Sequence, residues 1–142
     1  MTYKLVKKED KLVKKEDNKL CLINNIYLDK SRLGGLGVFA NKNFAKDDII
    51  EESPFLIIPT KDISEKNQLI NYIFKHDEDN SCLVLGYGSL YNHQDTPNIQ
   101  YYYNDDKTRF KYIALRDIEK NEELCISYGL EYWINRSIKK ID

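Results

Sequence analysis

Three short stretches carry the residues of this chain that are best suited to chemistry: LGGLGVFA at 33–40, YNHQDTPNI at 91–99 and ELCISYG at 123–129. The first is rich in glycine, the second in polar side chains, and the third ends in a tyrosine and a glycine. Each stretch alone has an ordinary structural explanation as a turn, a loop or a strand end. Their meaning therefore depends on the combination.

The glycine-rich stretch does not match a phosphate-binding loop. Gly34, Gly35 and Gly37 lack the G-x-G-x-x-G spacing, and no G-K-[ST] follows them. One explanation is a tight turn whose residues need positive φ. The other is a main chain without Cβ atoms, which lets a ligand reach the backbone amides. Both explanations stay open from this stretch alone.

Other catalytic and metal-binding arrangements are weakly supported. The histidines are His76 and His93, no serine or cysteine lies in a nucleophile-elbow context, and no metal-ligand spacing is present. Cys21, Cys82 and Cys125 are far apart and odd in number, which argues against disulfides and structural zinc. We expect no metal, and thiols that stay reduced.

The composition limits the class of protein. The 142 residues suffice for about one domain, and 22 Lys+Arg against 23 Asp+Glu disfavour direct nucleic-acid binding. No stretch approaches the roughly twenty apolar residues that span a bilayer, and the N-terminal residues lack the apolar core of a signal peptide. We expect a soluble intracellular protein without membrane contact, for which a basic partner is easier to imagine than DNA.

The elements that position the three stretches are predicted to be mainly strands. Segments rich in β-forming residues lie at 20–28, 37–44, 48–59, 82–92, 99–103, 110–118 and 123–129, with breaks at charged turns and at Pro54 and Pro59. Residues 68–76 (QLINYIFKH) form the one predicted amphipathic helix. This pattern indicates a β-rich domain of several small sheets with one short helix, and it disfavours a Rossmann enzyme.

The first residues repeat themselves, because KLVKKED occurs at 4–10 and again at 11–17. Two copies are too few for a solenoid or a coiled coil. We predict a charged arm over 1–20, with a dedicated binding element as the alternative, then one domain over 21–136 and a tail over 137–142.

The order of the motifs GGLGVFA, LGYGSLYNHQDTPN and ALRDIEKNEELCISYG resembles the SET-domain protein lysine methyltransferases over roughly residues 24–136. The segments SRLGGLGVFANKNF, NYIFK, LGYGSLYNH, DTPN and EELCISYGLEYWINR are most similar to the compact stand-alone viral SET histone methyltransferases. The resemblance implies a SET fold, in which residues 92–98 and the final tyrosine strand cross in a pseudoknot.

The resemblance also implies that S-adenosyl-L-methionine is the cofactor. Its expected binding residues are Gly35, Leu36, Gly37, Asn92, His93, Tyr128 and Trp133, with Tyr132 beside Trp133 in an aromatic lid. Gln94 stands where the family usually has Ser.

For the lysine channel, the resemblance implies that Tyr128 is the active-site tyrosine, and we predict that Tyr72 forms a second wall. Ile126 occupies a position that controls the number of methyl groups and offers no hydroxyl. Tyr101 either enters the channel in compensation or is an outward strand residue. The predicted catalytic residues are therefore Tyr128 and Tyr72, and the predicted substrate-binding residues are Tyr72, Tyr101, Ile126 and Tyr128.

The expected activity is methyl transfer to a lysine on an extended basic protein tail, with histone H3 or a histone-like protein as substrate. Acidic residues at 77–79 and 105–106 either favour Lys/Arg-rich flanks or form solvated acidic loops. The likeness to the viral proteins implies a homodimer. It also implies the host nucleus or a viral factory as the compartment. Two alternatives stay open: a non-catalytic SET-fold module that binds a tail, and a methyltransferase for a non-histone protein.

Overall fold

The computed structural model describes residues 25–129. The predicted arm at 1–20, the tail at 137–142, Cys21, Tyr132 and Trp133 lie outside the described residues. The strands within this range are β1 (Ile26–Lys30), β2 (Leu36–Ala40), β3 (Ile49–Pro59), β4 (Ile73–Lys75), β5 (Asn80–Val84), β6 (Asn92–His93), β7 (Ile99–Tyr103), β8 (Arg109–Ala114) and β9 (Glu123–Ile126). Among the described residues, no helix is long and apolar enough to cross a membrane.

The strands form two small sheets, which confirms the predicted β-rich class. One has four strands in the order β1-β2-β9-β6, and the other has five in the order β4-β5-β3-β8-β7. Within both sheets, neighbouring strands pair antiparallel, except that β6 pairs with β9 in parallel. Both sheets contribute to one hydrophobic core, in which Val38 and Leu124 of the first sheet join Phe110 and Tyr112 of the second.

The predicted helix at 68–76 is wrong. Only Gln68–Asn71 forms a single 3-10 turn, and Ile73–Lys75 continues as β4 paired with β5. The apolar spacing that imitates a helix also suits a short strand, because Phe74 then packs its ring against Tyr101 at 5.1 Å between ring centroids. Tertiary packing of an aromatic side chain and a β-branched Ile73 decides the outcome.

The predicted strand break at Pro54 is also wrong, because β3 runs continuously from Ile49 to Pro59. Pro54 lies where this strand changes neighbours: its Cα pairs with Arg109 of β8, and the next residue, Phe55, pairs with Val84 of β5. A missing N–H donor costs little at such a junction. The carbonyl of Pro54 still accepts the Leu85 N–H at 2.9 Å.

A buried carboxylate in β3 connects the five-stranded sheet to the segment before β6. Glu51 is 8% exposed, and its Oε1 accepts the hydroxyl of Tyr91 at 2.6 Å. The ring of Tyr91 in turn packs against Tyr112 at 4.7 Å between centroids. Desolvation by burial raises the pKa of Glu51 above its ordinary value of 4.5, against the opposing effect of the Tyr91 hydrogen bond.

This pKa shift predicts how Glu51→Gln changes stability with pH. The folded protein binds the Glu51 carboxyl proton more tightly than the unfolded chain does. The stability that this proton binding adds to the folded state is therefore complete below pH 4.5 and is lost as the pH rises. Urea unfolding should therefore show that Glu51→Gln is more favourable, relative to wild type, at pH 8 than at pH 4. The exposed control Glu65→Gln should show no such trend, and an equal effect of Glu51→Gln at both pH values would contradict the prediction.

Candidate active site

The second and third chemical stretches meet in a parallel crossing. Asn92 pairs with Cys125 and His93 pairs with Ile126. The Gln94 N–H then donates to the carbonyl of Ile126 at 3.0 Å. Two chain segments about thirty residues apart therefore run side by side for only a few residues, and the rest of the crossing needs other hydrogen-bonding partners.

Asn98 supplies several of these partners. Its side chain is 3% exposed, its Nδ2 donates to the carbonyl of Glu123 at 2.8 Å, and its Oδ1 accepts the Cys125 N–H at 2.8 Å. Its own carbonyl accepts the Leu115 N–H at 2.9 Å. A buried main-chain group without a partner is costly, so this single amide side chain stabilises the crossing from inside.

Glu123 attaches the glycine-rich turn to this crossing. Its carboxylate accepts the Asn92 Nδ2 at 2.8 Å on one oxygen and the Ser31 Oγ at 2.9 Å on the other. Asn92 Nδ2 also donates to the Leu36 carbonyl at 3.0 Å. A Cβ on Gly37 would collide with Glu123 Oε1 and lie 3.1 Å from Ser31 Cβ. A side chain at position 37 would therefore have to displace the Glu123 carboxylate from its hydrogen bonds with Asn92 and Ser31.

The two preceding glycines have the conformation of a tight turn and leave the main chain uncovered. Gly34 has φ +105° and Gly35 has φ +63°, and a Cβ at either position would have no heavy atom within 4 Å. The turn explanation and the ligand explanation are therefore compatible: positive φ forms the turn, and open space beside it leaves room for a ligand. These residues fit a group that binds through backbone contacts.

Tyr128 is held at both ends. Its N–H donates to Nδ1 of His93 at 3.0 Å, and its hydroxyl donates to the carbonyl of Tyr91 at 2.8 Å. The rings of His93 and Tyr128 also lie 5.3 Å apart between centroids. Because the phenol proton is given to Tyr91, the phenol oxygen can act toward any further group only as an acceptor.

A cavity of about 400 Å³ lies against the end of β9 and the residue after it, Ser127, which precedes Tyr128 in the chain. Its lining brings together two of the predicted substrate residues, Tyr101 and Ile126, with the neighbour Ser127. The complete lining is Pro97, Ile99, Gln100, Tyr101, Ile126 and Ser127. Among the described residues, neither Tyr72 nor Tyr128 lines this cavity, so the channel role of each stays a prediction. Tyr72 is 37% exposed at the end of the 3-10 turn.

The Tyr101 side chain is partly buried and packs against the hydrophobic core. Its ring packs at 4.9 Å on Phe110 and at 6.0 Å on Tyr112, between centroids. Desolvation by burial raises the pKa of its phenol. Within residues 25–129 its hydroxyl has no hydrogen-bond partner, so a neutral O–H borders the cavity with its hydrogen-bonding capacity unused.

Sequence reasoning missed three carboxylates of this region: Glu51, Asp95 and Glu123. Each organises a predicted site residue or its neighbour, since Glu51 binds Tyr91, Asp95 binds His93 at 2.8 Å and Glu123 binds Asn92. Their only signal in the sequence is an acidic residue inside or beside an otherwise apolar or motif-rich segment.

A parallel crossing that carries an Asn-His pair, lies beside a glycine turn and ends at a tethered tyrosine defines the class of small β proteins with a SET-type pseudoknot. The comparison with protein families agrees with this geometry. The chain belongs to the SET domain family, whose model matches residues 35–129.

Several known proteins are similar to this chain. The histone-lysine N-methyltransferase, H3 lysine-37 specific, of Schizosaccharomyces pombe is 38% identical over 103 residues, which cover 70% of this chain and 69% of the relative. The Drosophila melanogaster histone-lysine N-methyltransferase trr is 32% identical over 76% of this chain, but the match covers only 5% of that protein. The crystal structure of a Plasmodium falciparum candidate histone methyltransferase has a TM-score of 0.65 and 36% identity, and the match covers 78% of this chain and 97% of that one.

The two hydrogen bonds of Asn98 predict the effect of Asn98→Asp. The replacement keeps an acceptor for the Cys125 N–H but sets a carboxylate oxygen against the Glu123 carbonyl, where a donor is needed. We expect a loss of at least about 2 kcal/mol in the free energy of unfolding, measured in urea at neutral pH.

Asn67→Asp is the matched control. The exposed Asn67 uses only its Oδ1, which accepts the Leu69 N–H at 2.9 Å, and aspartate preserves that bond. Its stability should stay within about 0.5 kcal/mol of wild type. Equal effects at both positions would show that the crossing does not depend on the donor of Asn98.

Proposed function

We propose that this protein is an S-adenosylmethionine-dependent protein lysine N-methyltransferase that acts on a basic protein tail, with histone H3 or a histone-like protein as substrate. The observation that carries the proposal is the Tyr128 phenol, which is tethered to the Tyr91 carbonyl and follows by two residues Ile126, a residue that lines the cavity together with Tyr101. Membership of the SET family and the names of its similar relatives support the same activity.

The residues around the crossing suit the cofactor. The exposed main chain of Gly35 and Leu36, together with that of the buried Gly37, would hold its amino-acid part, and the main chain of Asn92 and His93 would lie against its nucleoside. When bound, S-adenosylmethionine supplies a methyl group on a positively charged sulfonium. The described residues provide what such a group requires, namely open backbone at a glycine turn and carbonyl and phenol oxygens near the tyrosine.

Tyr128 acts in this proposal through the lone pairs of its oxygen. Its proton is donated to Tyr91, so the oxygen accepts an N–H of the incoming amine or weak C–H contacts from a polarised methyl group. A fixed acceptor orients the amine lone pair away from itself and toward the methyl carbon. Positioning of this kind supplies a large part of the rate in a displacement reaction.

The cavity helps to deliver the lysine in its reactive form. A lysine amine has a reference pKa of about 10.4, and only its neutral form is a nucleophile. The side chain of Ile126 is 1% exposed and that of Tyr101 is largely buried, so a lysine beside them is partly desolvated. Desolvation disfavours the ammonium form and favours release of its proton to water before transfer.

Tail recognition by the acidic loops is a weaker part of the proposal. Asp77 Oδ1 accepts the N–H groups of Asp79 and Asn80, and Asp106 Oδ1 accepts the Thr108 N–H and hydroxyl. The side-chain amide of Asn80, which also donates to Asp77, and these backbone N–H groups lower the pKa of Asp77, and the Thr108 hydroxyl is the main cause of the lowered pKa of Asp106. Both carboxyls therefore stay charged while they stabilise their own turns. Of the acidic residues in these loops, Glu78, Asp79 and Asp105 are the better candidates to meet basic flanks.

Methyl transfer is tested directly with radiolabelled S-adenosylmethionine, mixed core histones and H3 tail peptides. The proposal expects label on a histone lysine and cofactor binding by calorimetry. Cofactor binding without label on histones but with label on another basic protein would support the non-histone alternative. Absence of both cofactor binding and label would leave the non-catalytic module as the better explanation.

Tyr128→Phe should lower the methylation rate at least about tenfold, because the phenol oxygen that accepts from the amine is removed. The fold should survive, since the N–H of residue 128 can still donate to His93. The matched control is Tyr102→Phe on β7, where the side chain is 47% exposed. Single-turnover rates and thermal melting curves measure both effects, and near-normal turnover in Tyr128→Phe would remove the assigned role.

Tyr101→Phe should increase the number of methyl groups added. The phenol of Tyr101, which has no hydrogen-bond partner among the described residues, borders the cavity with Ile126, and it can hold the amine or a water molecule where a further methyl group must pass. The wild-type protein should therefore stop short of trimethyllysine, and Tyr101→Phe should proceed at least one methyl further while its ring packing is kept. Mass spectrometry at long reaction times decides, and trimethyllysine as the main wild-type product would refute this assignment.

The homodimer, the special likeness to viral members, the nuclear or viral compartment and the aromatic lid of Tyr132 and Trp133 stay predictions from the sequence. Light scattering coupled to gel filtration tests the oligomeric state.

A further inference from the structure

His93 has a tautomer that can be assigned from its partners. Its Nδ1 lies 3.0 Å from the backbone N of Tyr128, and that N–H can only donate. Nδ1 must therefore carry the lone pair, which leaves the ring proton on Nε2 in the neutral imidazole. The His93 side chain is 5% exposed, so water has little access to the ring.

Asp95 lies at the other nitrogen of the same ring. Its Oδ1 is 2.8 Å from Nε2 of His93, and the Asp95 side chain is about half exposed, at 47%. A carboxylate only accepts hydrogen bonds, so it favours the ring proton on the nitrogen that faces it. The two contacts of the ring therefore agree on one tautomer.

We propose that Asp95 is a positioning residue that sets the tautomer of His93 and, through it, the place of Tyr128. The inference rests on the proposed function only for its consequence on the rate. The geometry itself is independent of it: Asp95 faces Nε2–H, Nδ1 receives the Tyr128 N–H, and the Tyr128 hydroxyl reaches the Tyr91 carbonyl.

A simple ion pair between Asp95 and a doubly protonated His93 is the competing explanation. In that state both ring nitrogens carry protons, and the Nδ1–H points at the Tyr128 N–H. Two donors facing each other at 3.0 Å repel each other, so the observed contact favours the neutral ring. Without Asp95, the tautomer with a proton on Nδ1 has the same conflict and becomes more accessible.

The expected consequence for the active site is a change in the orientation of Tyr128. Tyr128 is anchored at its N–H and at its hydroxyl, and the intervening ring packs on His93. Loss of the hydrogen bond from the Tyr128 N–H to His93 lets the residue shift, while its hydroxyl stays bound to the Tyr91 carbonyl. Such a small misplacement of a group that orients a nucleophile lowers the rate of the chemical step more than it lowers binding.

The test uses the full chain, uniformly labelled with ¹⁵N. Long-range ¹H–¹⁵N spectra should show a pyridine-type Nδ1 and a protonated Nε2 for His93, with a downfield Tyr128 amide proton. In Asp95→Ala the Nε2–H signature should weaken and the Tyr128 amide should move upfield, whereas Asp95→Glu should restore most of both signals. The charge-matched control Glu119→Ala, at an exposed position of the β8–β9 turn, should leave the spectrum unchanged.

Kinetics supply the second readout. We expect kcat to fall about tenfold in Asp95→Ala while the KM for the peptide and the melting temperature stay close to wild type, and we expect partial rescue in Asp95→Glu. A wild-type ring with its proton on Nδ1, or an Asp95→Ala protein with unchanged His93 signals, would overturn the proposal. If no substrate is methylated at all, the proposed function fails while the spectra still decide the role of Asp95.

Discussion

The architecture of this protein depends on a short parallel crossing whose main-chain groups are paired largely by side chains. Strands β6 and β9 share only two residue pairs, so the ladder cannot satisfy the polar groups beyond it. The amide of Asn98 takes over at the buried end, where it bridges the Glu123 carbonyl and the Cys125 N–H. A side chain that both donates and accepts is required there, which explains an asparagine and excludes a carboxylate.

Around the crossing, carboxylates occupy the positions where the groups to be bound are all hydrogen-bond donors. Glu123 receives Asn92 and Ser31, and it thereby fixes the glycine turn against β9. Glu51, on β3 of the five-stranded sheet, accepts a hydrogen bond from the Tyr91 hydroxyl. Because Tyr91 also offers its carbonyl to Tyr128, the buried acid of one sheet supports the tyrosine that follows the last strand of the other.

Two predicted site tyrosines differ in what their hydroxyls offer. Tyr128 donates its proton to a carbonyl, so its oxygen can act toward a further group only as an acceptor, whereas the Tyr101 hydroxyl has no hydrogen-bond partner among residues 25–129 and lies in an aromatic cluster with Phe74 and Phe110. The Ile126 side chain, which lines the cavity with Tyr101, is apolar. The proposed lysine site therefore combines an acceptor, a hydroxyl and an apolar wall.

The sequence by itself determined the β-rich class, the family and the three stretches that build the site, because each stretch needs particular residue types: glycine at Gly37, amides at Asn92 and Asn98, and a phenol at Tyr128. Only the tertiary structure decided whether 68–76 is helix or strand, since its apolar spacing suits both and packing of Phe74 selects the strand. It also decided the roles of Glu123 and Asp95. Glu123 binds Ser31 and Asn92, which lie 92 and 31 residues before it, and Asp95 matters through a tautomer that is defined only when Tyr128, 35 residues beyond His93, arrives at the ring. Partners so distant in sequence leave no local pattern, because folding alone brings them within hydrogen-bonding distance.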